Sequence, residues 1–155
     1  MAIGVISDTH GVLKPEALKA LQSCRMIIHA GDVGDGHIVE ILEKIAPVTV
    51  VRGNMDYGQW ARSWNKFETI LLGKHTIFVL HNILDLDFDP AASGIGMVVH
   101  GHTHRPKIER KDGVVYLNPG TSGPHRHAES GSVARCALSG DDMSCEIVHL
   151  TYRLG

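Results

Sequence analysis

Short apolar runs, each stopping at a polar residue, set the rhythm of this chain. "AIGVIS" (2–7) is apolar at successive positions, the pattern of a strand covered on both faces, and it stops at Asp8. Pro15 suits the first turn of a helix, and Ala17, Leu18 and Leu21 follow at helical spacing in "EALKALQ" (16–22). "RMIIHAG" (25–31) returns to strand just before Asp32. "HIVEILEKI" (37–45) predicts the clearest helix, with Ile38, Ile41, Leu42 and Ile45 on one face and Pro47 just beyond it. "VTVVRGN" (48–54) is a third strand. Residues 2–54 therefore read as βαβαβ, which favours parallel neighbours joined by right-handed crossovers.

Beyond residue 54 the pattern becomes strand-rich. "FETILLG" and "HTIFVLH" flank Gly73-Lys74, a hairpin signal. Residues 82–95 predict a loop with a short helix from Pro90, and "GMVVHG" (96–101) is another strand. In "RKDGVVYLN", Asp112-Gly113 turns into a strand ending at Asn118, so "ERKDG" (109–113) reads as a polar turn. Residues 119–132 are too rich in Gly, Pro and Ser for regular structure. "VARCAL", the "SGDD" turn and "CEIVHLTYRL" form a last hairpin, which could set Cys136 opposite Cys145. Trp60 and Trp64, four apart, predict one face of a short helix or an exposed contact patch.

Composition narrows the class without naming a chemistry. The 155 residues fit one domain, 1–155, able to bury roughly 70% of its extended surface. Aromatics are only 5%, so the core should rest on Val, Ile, Leu and Ala. A net charge of -2 gives no electrostatic argument for a long nucleic acid or a membrane surface. Cys24, Cys136 and Cys145 form no C-x-x-C pair and read as reduced thiols of a cytoplasmic protein. No basic segment precedes the first apolar run, and the other runs are too short to span a bilayer.

The eleven histidines change the picture once their positions are compared. Asp8 and His10, Asp32, Asn54, His81, and His102 and His104 each fall at or just after the end of a predicted strand. Loops converge at that edge of an α/β sheet. Each residue alone has a plain explanation: Asp8 as a turn acceptor, Asp32 as a helix cap, Asn54 in a left-handed turn, His81 as a satisfied core histidine. Separate roles do not account for seven oxygen and nitrogen donors in coincident positions. One metal seldom needs so many protein ligands, whereas two metals sharing a carboxylate do. The mixed donors suit Mn, Fe, Zn, Co or Ni better than Ca or Mg. "HGHTH" (100–104) is the strongest local signal: His102 and His104 can approach adjacent metals, with His100 behind them or in the core.

The order D-x-H, G-D, G-N-x-D, H, G-H-x-H resembles the calcineurin-like metallophosphoesterases, and the length resembles their small bacterial and archaeal phosphodiesterase branch. The resemblance runs from Asp8 through "YLNPGT" (116–121), and Pro124 and Arg126 match a Pro-Arg feature of that branch. It implies an α/β (α+β) four-layer sandwich, two mixed β-sheets face to face with helices outside. It implies that Asp8, His10 and His104 bind one metal and Asn54, His81 and His102 the other, with Asp32 bridging. The expected cofactors are two divalent ions, Mn first, with Ni, Zn, Fe, Co or Mg as alternatives.

The implied activity is hydrolysis of a small phosphodiester by hydroxide activated between two cations about 3.5–4 Å apart. No nucleophilic side chain is needed, and none is apparent. The candidate catalytic residues are Asp32, Asn54, Asp56, His81 and Arg126. Asp56 would orient a ligand or a nearby imidazole, and Arg126, flanked by His125 and His127, would reach a phosphate unless it is a solvated loop charge. Gly31, Gly53 and Gly101 would let the backbone turn beside the ions. His29, His37, His75 and His149 read as surface or structural residues. A phosphomonoesterase or nuclease on the same site is an alternative. So is a protein-binding scaffold, since the retromer scaffold subunit has this architecture with an altered metal site, whereas all seven ligands are present here. Small members often associate, which leaves a homo-oligomer open.

Two positions depart from the family pattern. Met55 stands where many relatives carry a histidine that can assist the leaving group, and a thioether donates no proton. That predicts a preference for stabilised leaving groups such as aryl or nucleotide-type ones. Asn82 stands where Gly commonly follows the metal-binding histidine, which alters the local loop.

Overall fold

In the computed structural model, which describes residues 1–124 and 131–150, the apolar runs become the strands of two five-stranded mixed sheets. The first part of the chain is β1 (Ala2–Ile6), α1 (Pro15–Leu21), β2 (Met26–His29), α2 (His37–Glu43) and β3 (Val48–Val50). β1 pairs in parallel with β2, and β2 with β3, as the βαβαβ pattern requires. Next come β4 (Phe67–Leu72), β5 (His75–Leu80), β6 (Met97–Val99), β7 (Lys107–Lys111) and β8 (Val114–Asn118). These form the second sheet in the order β4-β5-β6-β8-β7, with β5, β6 and β8 parallel. The last hairpin, β9 (Ser132–Ser139) and β10 (Asp142–His149), returns to the first sheet, whose order is β10-β9-β1-β2-β3.

Strand alternation divides the apolar side chains between the layers. Ile3, Val5 and Ile28 meet Ile77, Val79, Met97, Val99 and Leu117 in the core between the sheets. Ile6 and Ile27 face the other way and pack with Ala17, Leu21, Ile38 and Leu42 of the two helices. Gly4 permits this contact, because a Cβ there would lie 2.5 Å from Leu21 Cδ2. Over the second sheet the covering layer is not a long helix. Ile83, Leu86 and Ile95 of the 82–95 segment close on Leu80, Val98 and Val114.

Three details differ from the sequence reading. Residues 109–111 of "ERKDG" belong to edge strand β7, and only Asp112-Gly113 turn. All five β7 residues are exposed, so the strand shows no apolar alternation. The helix from Pro90 does not form: Asp89 Oδ1 accepts from the amides of Ala91 and Ala92, and Gly94, at φ +77°, ends the turn. The short helix in this part of the chain is instead a 3-10 turn at Ile83–Asp85, begun by Asn82, whose Oδ1 accepts from Leu84 N–H. Trp60 and Trp64, with centroids 5.2 Å apart, pack partly buried against the helical layer. Cys136 and Cys145 do stand directly opposite each other, as free thiols.

Candidate metal centre

Five strand ends converge. Asp8 follows β1, Asp32 follows β2, Asn54 follows β3, His81 follows β5, and His102 and His104 follow β6. Backbone bonds lock the loops edge to edge: Asp8 N–H to Gly31 O and His10 N–H to Asp32 O, both 3.0 Å, and Gly101 N–H to His81 O, 2.9 Å. Asp8, His10, Asp32, His102 and His104 all have positive φ, between 46° and 70°. Among the described residues the one other non-glycine with positive φ is Asp112, in a hairpin turn. Residues held in such conformations cost on the order of 1–3 kcal/mol each and persist where the surrounding structure over-determines them. Asn54, in contrast, does not take the left-handed conformation.

The donors form two groups, Asp8 with His10 and His104, and Asp32 with His81 and His102, each with ligand atoms within 4.8 Å of one another. In the first, Asp8 Oδ1 lies 3.2 Å from His104 Nε2 and 3.6 Å from His10 Nε2, and the two Nε2 atoms are 3.3 Å apart. In the second, Asp32 Oδ2 lies 3.2 Å from His81 Nε2. Asn54 joins this side, with Oδ1 3.2 Å from His102 Nδ1. The groups adjoin, since Asp32 Oδ2 is 3.9 Å from His10 Nε2 and Asp8 Oδ1 is 3.9 Å from His81 Nε2.

Two of these atoms, Asp8 Oδ1 and His81 Nε2, are buried without a hydrogen-bond partner. Protein rarely leaves buried polar atoms so, and a cation held by each group satisfies them. The hard oxygen and imidazole donors fit a divalent metal. Protonation follows the same geometry. Burial works to raise the Asp8 and Asp32 carboxyls, but His10 and Ser7 around Asp8, and His81 and the Met55 amide around Asp32, hold both below their ordinary value. Asp8 raises His10 in return, and Asp32 raises His81 against the opposing effect of burial.

Neighbouring groups fix the ligands, and several were not evident from sequence. Ser7 Oγ donates to Asp8 Oδ2 at 2.6 Å, and His102 N–H to the same oxygen at 3.1 Å. Thr121 Oγ1 donates to the Asp8 carbonyl at 2.8 Å. Asn118 ties Gly101 O and Thr103 Oγ1 to the end of β8. Thr9 donates to Val33 O at 2.7 Å and meets the fully buried His29 at 3.1 Å, so His29 is a strut beneath the centre. Only the polar character of these residues is visible in sequence, because the partners of Thr9, Asn118 and Thr121 lie 15 or more residues away.

Asp56 accepts from the amides of Gly53, 2.8 Å, and Gly34, 3.0 Å. It braces two loops, one of them just before Asn54, and among the described residues it bonds to no imidazole. The glycines also divide: Gly31 turns at φ +99°, whereas Gly101 is needed for close approach, since a Cβ there would lie 2.6 Å from Asp8 Oδ2. Arg126, with His125 and His127, lies outside the described residues. His37, His75 and His149 take no part in the centre: His37 pairs with Glu40 at 2.9 Å, and His75 meets Gly140 O at 2.8 Å.

Two face-to-face mixed sheets thus carry adjoining carboxylate–imidazole groups at their strand ends, a donor set that fits divalent metals. Residues 1–141 match the calcineurin-like phosphoesterase superfamily domain, and the chain belongs to that superfamily. It is 33% identical to a probable metallophosphoesterase of Methanothermobacter thermautotrophicus, covering 96% of this chain and 92% of the relative. It is 28% identical to a phosphodiesterase of Methanocaldococcus jannaschii, over 77% of this chain and 83% of that one. In fold it is similar to Vps29 of Entamoeba histolytica complexed with zinc, with TM-score 0.75 and 21% identity over 97% of this chain and 100% of that one.

Proposed function

We propose that this chain is a metal-dependent phosphodiesterase of small phosphodiesters. The observation carrying this reading is that Asp32 Oδ2 stands between the donor groups, 3.2 Å from His81 Nε2 and 3.9 Å from His10 Nε2. One carboxylate is thus positioned to serve two ions. In this reading Asp8, His10 and His104 hold one ion, Asn54, His81 and His102 the other, and Asp32 both. Mn is the proposed ion, with Ni, Zn, Fe, Co or Mg as alternatives. When bound, two such ions acidify a water for attack and neutralise charge on the phosphate oxygens.

The chain's own residues set the direction of approach. Asp8, Asp32 and His81 are buried, while Asn54 and His102 are exposed, so the ester enters over Asn54 and His102. Arg126 is proposed to meet a phosphate oxygen. Met55 N–H donates to Asp32 Oδ1 at 2.8 Å, which keeps the residue at the rim with its side chain half exposed. Its thioether gives the leaving oxygen no proton, so aryl and nucleotide-type esters are the favoured substrates. Likeness to the M. jannaschii phosphodiesterase supports diesters over monoesters. Three free thiols support a cytoplasmic setting. No helix among the described residues is long and apolar enough to cross a membrane.

Assays of aryl, cyclic-nucleotide and linear diesters with several divalent ions test the proposal. Turnover of aryl diesters well above that of aryl monoesters is expected. A folded protein that hydrolyses no ester and takes up no metal favours the scaffold alternative instead.

A further inference from the structure

We propose a second ligand site on the outer face of the second sheet, built for a planar ring that carries one anionic group, as a nucleoside monophosphate does. A cavity of about 550 Å³ lies there, lined by Ile83, His100, Thr103, Arg105, Lys107 and Tyr116. The volume falls in the range of small-molecule sites, about 300–1,000 Å³. Thr103 and Arg105 line it, but His102 and His104, their neighbours in sequence, do not. The metal-binding loop therefore presents alternate residues to different spaces.

The polar groups of this cavity are open to a ligand. Asn118 also lines it, and its two amide hydrogens go to Gly101 O, 3.1 Å, and Thr103 Oγ1, 3.0 Å. Thr103 Oγ1 also accepts from Arg105 N–H at 3.3 Å, which leaves its hydroxyl hydrogen to donate outward. Among the described residues the Arg105 guanidinium and the Tyr116 hydroxyl have no partner. His100 Nδ1 is buried without one.

Charge and shape select the ligand. Lys107 Nζ pairs with Glu109 Oε2 at 2.9 Å, and Glu109 is also on the wall, so among the described lining residues Arg105 is the one uncompensated cation. Its planar fork matches a phosphate or a carboxylate. Tyr116 and Ile83 pack on the outer apolar cluster of this sheet and give the cavity an apolar wall beside that cation. A flat ring buries its face there while its polar edge meets the two free hydroxyls. Glu109 can accept from a sugar hydroxyl. None of this depends on the diesterase reading, because no metal donor lines the cavity.

Calorimetric titration of the full-length, metal-loaded chain with adenosine 5′-monophosphate tests the site, with ribose 5-phosphate and adenosine as anion-only and ring-only probes. The nucleotide is expected to bind more tightly than either probe. Arg105→Ala, an exposed position, and Tyr116→Leu, which keeps an apolar side chain against the cluster, are each expected to weaken binding about tenfold or more. Asn54→Ala, at the metal centre, is expected to leave it within about twofold. Absence of binding at millimolar nucleotide overturns the proposal. Binding that survives both cavity substitutions but fails in Asn54→Ala also overturns it, since the nucleotide then sits at the metals. Either result leaves the diesterase reading standing on its own assays.

Discussion

The His81 imidazole donates from Nδ1 to the carbonyl oxygen of Ala30 at 2.7 Å, and this bond turns Nε2 toward Asp32 Oδ2, 3.2 Å away. A backbone acceptor following β2 thereby sets the tautomer of a candidate ligand that follows β5 in the other sheet. His81→Ala is expected to lower metal content from two ions per chain to one and to cut diester turnover by at least about 100-fold. Elemental analysis beside a thermal melt checks this, the melt separating metal loss from unfolding.

Metal uptake should release protons. Asp8 and Asp32 raise His10 and His81, so cations compete with protons there, and affinity falls as pH drops through these raised values. Above them affinity levels off. Calorimetry with Mn in buffers of different ionisation enthalpy is expected to show net proton release near pH 6.5, declining as pH rises. Affinity unchanged between about pH 6 and 8 contradicts the pairing.

His29 should titrate in the opposite sense. Gly31 N–H donates to its Nδ1 at 3.1 Å, so the ring hydrogen sits on Nε2 and goes to Thr9. Burial lowers His29 to about 4 from 6.5. Between those values the unfolded chain binds the proton and the folded chain does not. Stability is therefore complete above about pH 6.5 and is lost as pH falls toward 4, by at most about 3 kcal/mol. In metal-free protein, His29→Gln is expected to flatten this part of the pH–stability curve, measured by urea unfolding at several pH values. Equal pH slopes for variant and parent would remove His29 from the account.

Legibility from sequence varied with the range of the interaction concerned. The seven donors stood out because a polar residue closing an apolar run is a local feature, and five such closures form a pattern. β7 was hidden because an edge strand exposed on both faces has no period-two signal. The Pro90 helix failed on local chemistry, since Asp89 caps a single turn that Gly94 then ends. His29 and Thr9 carried no motif, as their roles depend on contacts 20 or more residues away. Asp56 was found as part of G-N-x-D, but its work on two backbone amides required the folded loops.

Met55 gives the test of leaving-group chemistry. Met55→His introduces a proton donor at the rim, where the residue's amide is already fixed to Asp32 Oδ1 at 2.8 Å. Turnover of alkyl diesters is expected to rise by roughly 10-fold or more, with aryl diesters little changed. Rapid kinetics under conditions where chemistry limits the rate provides the check. Equal effects on both classes would show that protonation of the leaving group is not what Met55 withholds.

That Asp32 joins two metal ions in one hydrolytic centre is the proposal on which the diesterase reading depends. It is tested most directly by counting divalent ions and assaying an aryl phosphodiester in the parent chain and in Asp32→Ala, both purified without added metal. Two ions per parent chain are expected, and in the folded variant fewer ions and loss of hydrolysis. A folded parent chain without divalent ions, or an Asp32→Ala chain that hydrolyses the diester as well as the parent, contradicts it.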